Sequence, residues 1–75
     1  MKLTPIGSNQ TVLMLNDGTR VLFSYQTPVA YERMGRFYRS ATRHSVTTSK
    51  HVNQWAGKDA TEVPQADIDA IVGRG

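Results

Sequence analysis

Six cations, Arg33, Arg36, Arg39, Arg43, Lys50 and Lys58, fall between residues 33 and 58 with no acid among them. Guanidinium and ammonium groups at that density neutralise phosphates or acidic side chains, so the segment reads as a footprint for an anionic partner. Tyr31, Phe37, Tyr38 and Trp55 lie in or beside it, and aromatic faces among cations suit stacking on unpaired bases. In an extended strand Arg39 and Arg43 share one face, about 13 Å apart at roughly 3.3 Å per residue. The competing reading is a solvated basic face that keeps a small chain soluble or meets an acidic protein. Residues 59–75 carry Asp59, Glu62, Asp67 and Asp69 against Arg74, and such a tail can fold nearby as counter-charge.

Thr47, Thr48, Ser49 and Lys50 suggest a second binding chemistry. Free amides and hydroxyls at a helix start attract anions, and a bound anion would offset Lys50 and His51 in a first turn, where cations oppose the helix dipole. The plainer reading is that one hydroxyl caps the helix while Lys50 points into water.

Catalytic constellations are not evident. His44 and His51 stand seven residues apart and no cysteine joins them, a spacing that matches no common zinc pattern. Asp67 and Asp69 would face different ways on a helix and read as early-turn acids. The hydroxyls sit in no G-x-S-x-G or S-x-x-K frame, and neither glycine-rich nucleotide loop is present. No enzyme activity, metal or cofactor is therefore expected.

The elements that must position these residues follow from pattern. Seventy-five residues make one small domain, residues 1–75, with a small core. The opening residues lack an apolar leader region, and the longest apolar run, VLML at 12–15, is far short of a membrane span; a soluble, cytoplasmic protein is expected, with no membrane partner. Thr11 to Leu15 and Arg20 to Tyr25 flank Asn16-Asp17-Gly18-Thr19, a strong hairpin signal because glycine reaches positive φ without a clash. A two-residue turn would pair Met14 with Val21. A three-residue loop with left-handed Gly18 would pair Leu13 with Val21 and Thr11 with Phe23. The latter is favoured because it gathers Leu13, Leu15, Val21, Phe23 and Tyr25 on one face.

Pro28 ends the second strand or leaves it as an edge past a bulge, with Ala30 and Tyr31 able to resume pairing. Glu32-Arg33-Met34-Gly35 reads as a turn or mobile loop with Gly35 as hinge. Arg36 to Val46 reads as a third antiparallel strand. Val52, Trp55 and Ala56 form one face of a helix of about two turns that starts near Ser49 and ends at Gly57. Lys58 to Val63 is a polar link. Pro64 opens a second helix with Ile68, Ile71 and Val72 as its stripe and Gly73 as its stop. The expected fold class is α+β, a three-stranded antiparallel sheet followed by one or two short helices packed on one face. Val52, Trp55, Ile68 and Ile71 would all cover the face bearing Val21 and Phe23.

Three segments, NDGTRVLFSYQTPVA at 16–30, SVTTSKHVNQWAG at 45–57 and VPQADIDAIV at 63–72, resemble a family of small tailed-bacteriophage proteins that form a domain of unknown function. The resemblance covers most of the chain and is weaker over Glu32 to Arg43. The resemblance implies a phage origin and the cytoplasm of the bacterial host as the place of work. It implies no activity and no functional residues.

Taken together, the expected function is a small non-enzymatic binding module on a host or phage macromolecule, in a host-takeover or anti-defence role. Arg33, Arg36, Arg39, Arg43 and Lys50 are the candidate docking residues. A protein partner is the first choice, with nucleic acid bound through the basic 33–58 segment as the alternative and a structural or assembly role in the phage particle as the second.

Overall fold

In the computed structural model, which describes residues 2–7, 9–42 and 44–74, the Asn16-Asp17-Gly18 turn takes the three-residue form. Leu15 N–H donates to the Thr19 carbonyl at 2.8 Å, Gly18 N–H donates to the Leu15 carbonyl at 3.0 Å, and Gly18 sits at φ +90°. Leu13 accordingly pairs with Val21 and Thr11 with Phe23. Asp17 Oδ1 accepts the Thr19 N–H at 2.9 Å, a side chain mimicking a backbone turn.

The elements in chain order are β1 (Lys2–Gly7), β2 (Gln10–Met14), β3 (Arg20–Ser24), β4 (Thr27–Arg33), β5 (Arg36–Ser40), α1 (Val46–Ala56), β6 (Thr61–Val63) and α2 (Gln65–Arg74). They build one six-stranded mixed sheet in the order β1-β2-β3-β4-β5-β6. The first five strands are antiparallel. β6 lies parallel to β5, reached by α1 as the crossover that parallel neighbours require.

This overturns the expected three-stranded sheet. β1 carries Pro5, which reads as a breaker but is tolerated on an edge strand that has a neighbour on one side only. β3 and β4 are separate strands joined at Tyr25-Gln26. Pro28 stands beside a bulge, opposite Phe23, and β5 begins to pair only at Ala30. β6, expected as a polar link, is three residues long, too short for any periodicity to register. β5 stops at Ser40 rather than running to Val46, because Ser40 Oγ accepts the Thr42 N–H at 3.1 Å and turns the chain locally.

The helices also depart from expectation. They pack on opposite faces of the sheet, not on one. Val12, Leu22 and Ala30 lie side by side across β2, β3 and β4, the bulged Val29 joins them, and Val52 of α1 closes this core with Trp55 and Ala56 against it. Leu13, Val21 and Tyr31 line the other face with Leu15, and Ile68 of α2 closes that one with Ile71, Val72, Phe23, Tyr38 and Val63 around it. The physical reason is that β2, β3 and β4 bury consecutive residues. Strands buried on both faces lose the strict alternation of a half-exposed sheet. Trp55 is only partly buried, with its ring edge-on to Phe37 at 5.3 Å.

α1 starts earlier than expected. Ser45 is its N-cap, its hydroxyl accepting the Thr48 N–H at 3.2 Å, so the helix has 11 residues, about three turns. Gly57 ends it at φ +84° with its N–H donating to the Asn53 carbonyl at 3.1 Å. Pro64 precedes α2 and its carbonyl accepts the Asp67 N–H at 3.0 Å. α2 continues through Gly73 to Arg74 rather than stopping at the glycine.

Candidate functional site

The expected docking cations part company in the fold. Arg33 and Arg36 are paired at the ends of β4 and β5, joined by the two-residue turn Met34-Gly35. Both turn residues have positive φ, +54° and +79°, the requirement of the mirror-image turn that suits the twist of a hairpin. Glycine takes that conformation freely, but for Met34 it costs on the order of 1 kcal/mol. Met34 is 96% exposed, so no packing within the fold offsets the strain. Of the two readings of this segment, a turn or a mobile loop, the structure has the turn: a tight hairpin tip presenting an apolar side chain between two guanidinium groups.

The tip is braced from one side. Arg33 Nε donates to Thr19 Oγ1 at 3.2 Å, and its terminal nitrogen lies 3.8 Å from Asp17 Oδ2. The Thr19 backbone N–H, then the Thr19 hydroxyl, with a smaller contribution from Arg33, hold the Asp17 carboxyl below the ordinary carboxylate range. Arg20 and Glu32 form an ion pair beside it. Arg36 is exposed and makes no hydrogen bond or ion pair among the described residues, so its charge is available.

Arg39 points the other way. It is on the α1 face with Ala30, and its Nη1 donates to Asn53 Oδ1 at 2.7 Å, tying β5 to α1. Lys50 is exposed on α1. Arg43 lies outside the described residues. The aromatics expected near the cations are engaged with each other: Tyr31 stacks on Tyr38 at 4.6 Å, and Phe37 meets Trp55. Burial, with a smaller push from Tyr38, raises the Tyr31 phenol above its ordinary range.

The hydroxyl run before Lys50 also has internal work. Thr48 is buried with its Oγ1 3.0 Å from Ser24 Oγ, and Ser24 Oγ is 2.9 Å from His51 Nδ1. Thr48 therefore docks the helix on β3, Ser45 caps it, and Lys50 and His51 fall in the second turn. The premise of cations in the first turn fails because the helix begins at Val46.

One feature escaped the sequence reading. Between β5, α1 and β6 lies a polar pocket of about 120 Å³, whose lining includes Arg39, Thr42, His44, Ser49 and Glu62. His44 Nε2 is buried there without a hydrogen-bond partner among the described residues. The sequence signal available was positional: a histidine in the connection between a strand and its crossover helix, where parallel α/β units leave a crevice. Among the described residues, no group of His, Cys, Asp and Glu side chains is placed to hold a metal ion, and no helix is long and apolar enough to cross a membrane.

The fold and these features define a small α+β protein, a mixed sheet held between two helices with an exposed basic tip at one hairpin. A family of unknown function, DUF8033, matches residues 1–70, and the chain belongs to that family. No curated protein and no solved structure matches the chain.

Proposed function

We propose that the protein is a non-enzymatic binding module that docks on a larger macromolecule through the β4–β5 hairpin tip. The observation that carries this reading is Met34, held left-handed and 96% exposed between Arg33 and Arg36. A tip with only a structural role would favour glycine or asparagine at that position. An apolar side chain flanked by cations fits a protein socket that is apolar within and acidic at its rim. The split placement of the cations and the internal use of the aromatics favour a protein partner over single-stranded nucleic acid, which needs a continuous basic track with free rings. The likeness to phage-encoded proteins supports a phage accessory protein acting in the cytoplasm of a bacterial host.

A photo-crosslinking residue at position 34, expressed in bacteria with and without phage infection, tests the reading. One dominant acidic protein adduct is expected, lost when Arg36→Glu is added. Adducts with particle proteins alone would move the reading to an assembly role. Salt-dependent binding to generic DNA or RNA that disappears in Arg33→Ala, Arg36→Ala would replace the protein partner with nucleic acid.

A further inference from the structure

We propose that the pocket between β5, α1 and β6 binds a phosphoryl group that carries a proton, as inorganic phosphate or as a phosphomonoester. This site is independent of the hairpin tip. β5 and β6 are the one parallel pair among the described strands, and α1 links them. The carboxyl end of a strand in such a unit, where the chain leaves for the helix, is where ligands settle in α/β proteins. Here β5 ends at Ser40, and the pocket takes its walls from the end of β5, from Ala41, Thr42 and His44, and from the face of α1 that bears Ser49.

Size and donors fit a single oxyanion. A volume near 120 Å³ corresponds to about four waters at ~30 Å³ each, and one phosphate occupies less. Arg39 lines the pocket and spends one guanidinium N–H on Asn53, which fixes the group's plane and leaves the rest of its five donors uncommitted among the described residues. His44 Nε2 is buried and has no partner among the described residues, and a ring nitrogen in that state calls for one. The Ser49 and Thr42 side-chain hydroxyls make no hydrogen bond among the described residues. Val29 and Val52, both buried, complete the lining and lower the local polarity, which strengthens charge-assisted bonds.

Glu62 gives the site its selectivity. It is exposed, lines the same pocket and is the register partner of Arg39. A carboxylate at the rim repels a fully deprotonated anion but accepts a hydrogen bond from a phosphate O–H. Sulfate at neutral pH has no such proton to donate.

The test is NMR of the full chain near pH 7, titrated at constant ionic strength with inorganic phosphate, sulfate or phenyl phosphate. Saturable shifts at the His44 ring and at the Ser49 and Thr42 amides are expected with phosphate, with sulfate at least about tenfold weaker, since sulfate sets its charge against the Glu62 carboxylate without a hydrogen bond to offset it. Glu62→Gln should close the gap between the two anions, because an amide can donate to sulfate. His44→Ala should weaken phosphate by about ten- to a hundredfold, the loss expected for one hydrogen bond to a charged group. Ser49→Ala, an exchange on a helix surface, carries the same test with a smaller loss if His44→Ala does not fold. Lys58→Ala, which removes an exposed charge outside the pocket, should change nothing. Phenyl phosphate matching inorganic phosphate identifies a tethered phosphoryl group as ligand; binding of inorganic phosphate alone identifies the free ion. Non-saturating shifts, equal response to sulfate, or full affinity in both pocket variants would overturn the proposal.

Discussion

Asp17 and Met34 show what single residues contribute here beyond their type. Asp17 accepts the Thr19 N–H, and its carboxyl is held below the ordinary 3.8. A depressed carboxyl contributes stability that is present above the unfolded value and lost as pH falls through the folded one. Urea denaturation across the acid range should therefore show stability falling below about pH 4, and Asp17→Asn should flatten that part of the profile. Tyr31 has the opposite sign. Its phenol is raised above 10.0, so its contribution is intact below that value and drains as pH rises past it. Met34→Gly removes the left-handed strain and should raise stability by about 0.5–1 kcal/mol, read as a higher urea midpoint, while weakening docking at the tip. A mutant more stable yet poorer at binding is the pattern of a residue kept for function. The sequence announced Gly35 as special; it gave no sign that its neighbour shared the same backbone region, because methionine does so rarely.

At the scale of elements, the two helices illustrate what periodicity discloses and what it withholds. The stripe Ile68, Ile71, Val72 and the pair Val52, Trp55 each marked the buried side of a helix correctly. Nothing in a helix's own pattern says which face of a sheet it will meet. The strands held that information: Val12-Leu13, Val21-Leu22 and Val29-Ala30-Tyr31 are buried consecutively, which demands cover on both sides. Pro5 sits on an edge strand and Pro28 beside a bulge, the two places where a ladder tolerates proline, and pairing resumed at Ala30 and Tyr31 is one of the two readings that Pro28 allowed. The site was legible in part. The basic segment is real as composition, but alternation along β5 sends Phe37 and Arg39 to one face and Arg36 and Tyr38 to the other. Arg39 thus acts first as a structural tie, and a double-mutant cycle of Arg39→Ala with Asn53→Ala should give a coupling of about 0.5–1.5 kcal/mol. Thr48→Val, which keeps shape and removes the hydroxyl facing Ser24, should cost about 1 kcal/mol in thermal denaturation.

For the whole molecule, two small cores share one sheet. A chain of 75 residues has about 4–11 kcal/mol of stability in total. Leu22 and Ile68 are fully buried on opposite faces, and either one changed to alanine should cost about 2–5 kcal/mol. Calorimetry of the two single variants should show both cores melting in one transition, because the β-sheet backbone belongs to each. Two independent transitions would mean the faces are not coupled.

The strand order has a consequence for how the chain is made. Every strand pairs with the one before it, so the antiparallel meander can form as the chain emerges, each hairpin on its predecessor. The face of Val21 and Tyr31 has no cover until the ribosome has passed Ile68. Throughout that interval the nascent sheet displays an apolar surface to the cell, and a chaperone that engages such surfaces has its opportunity then.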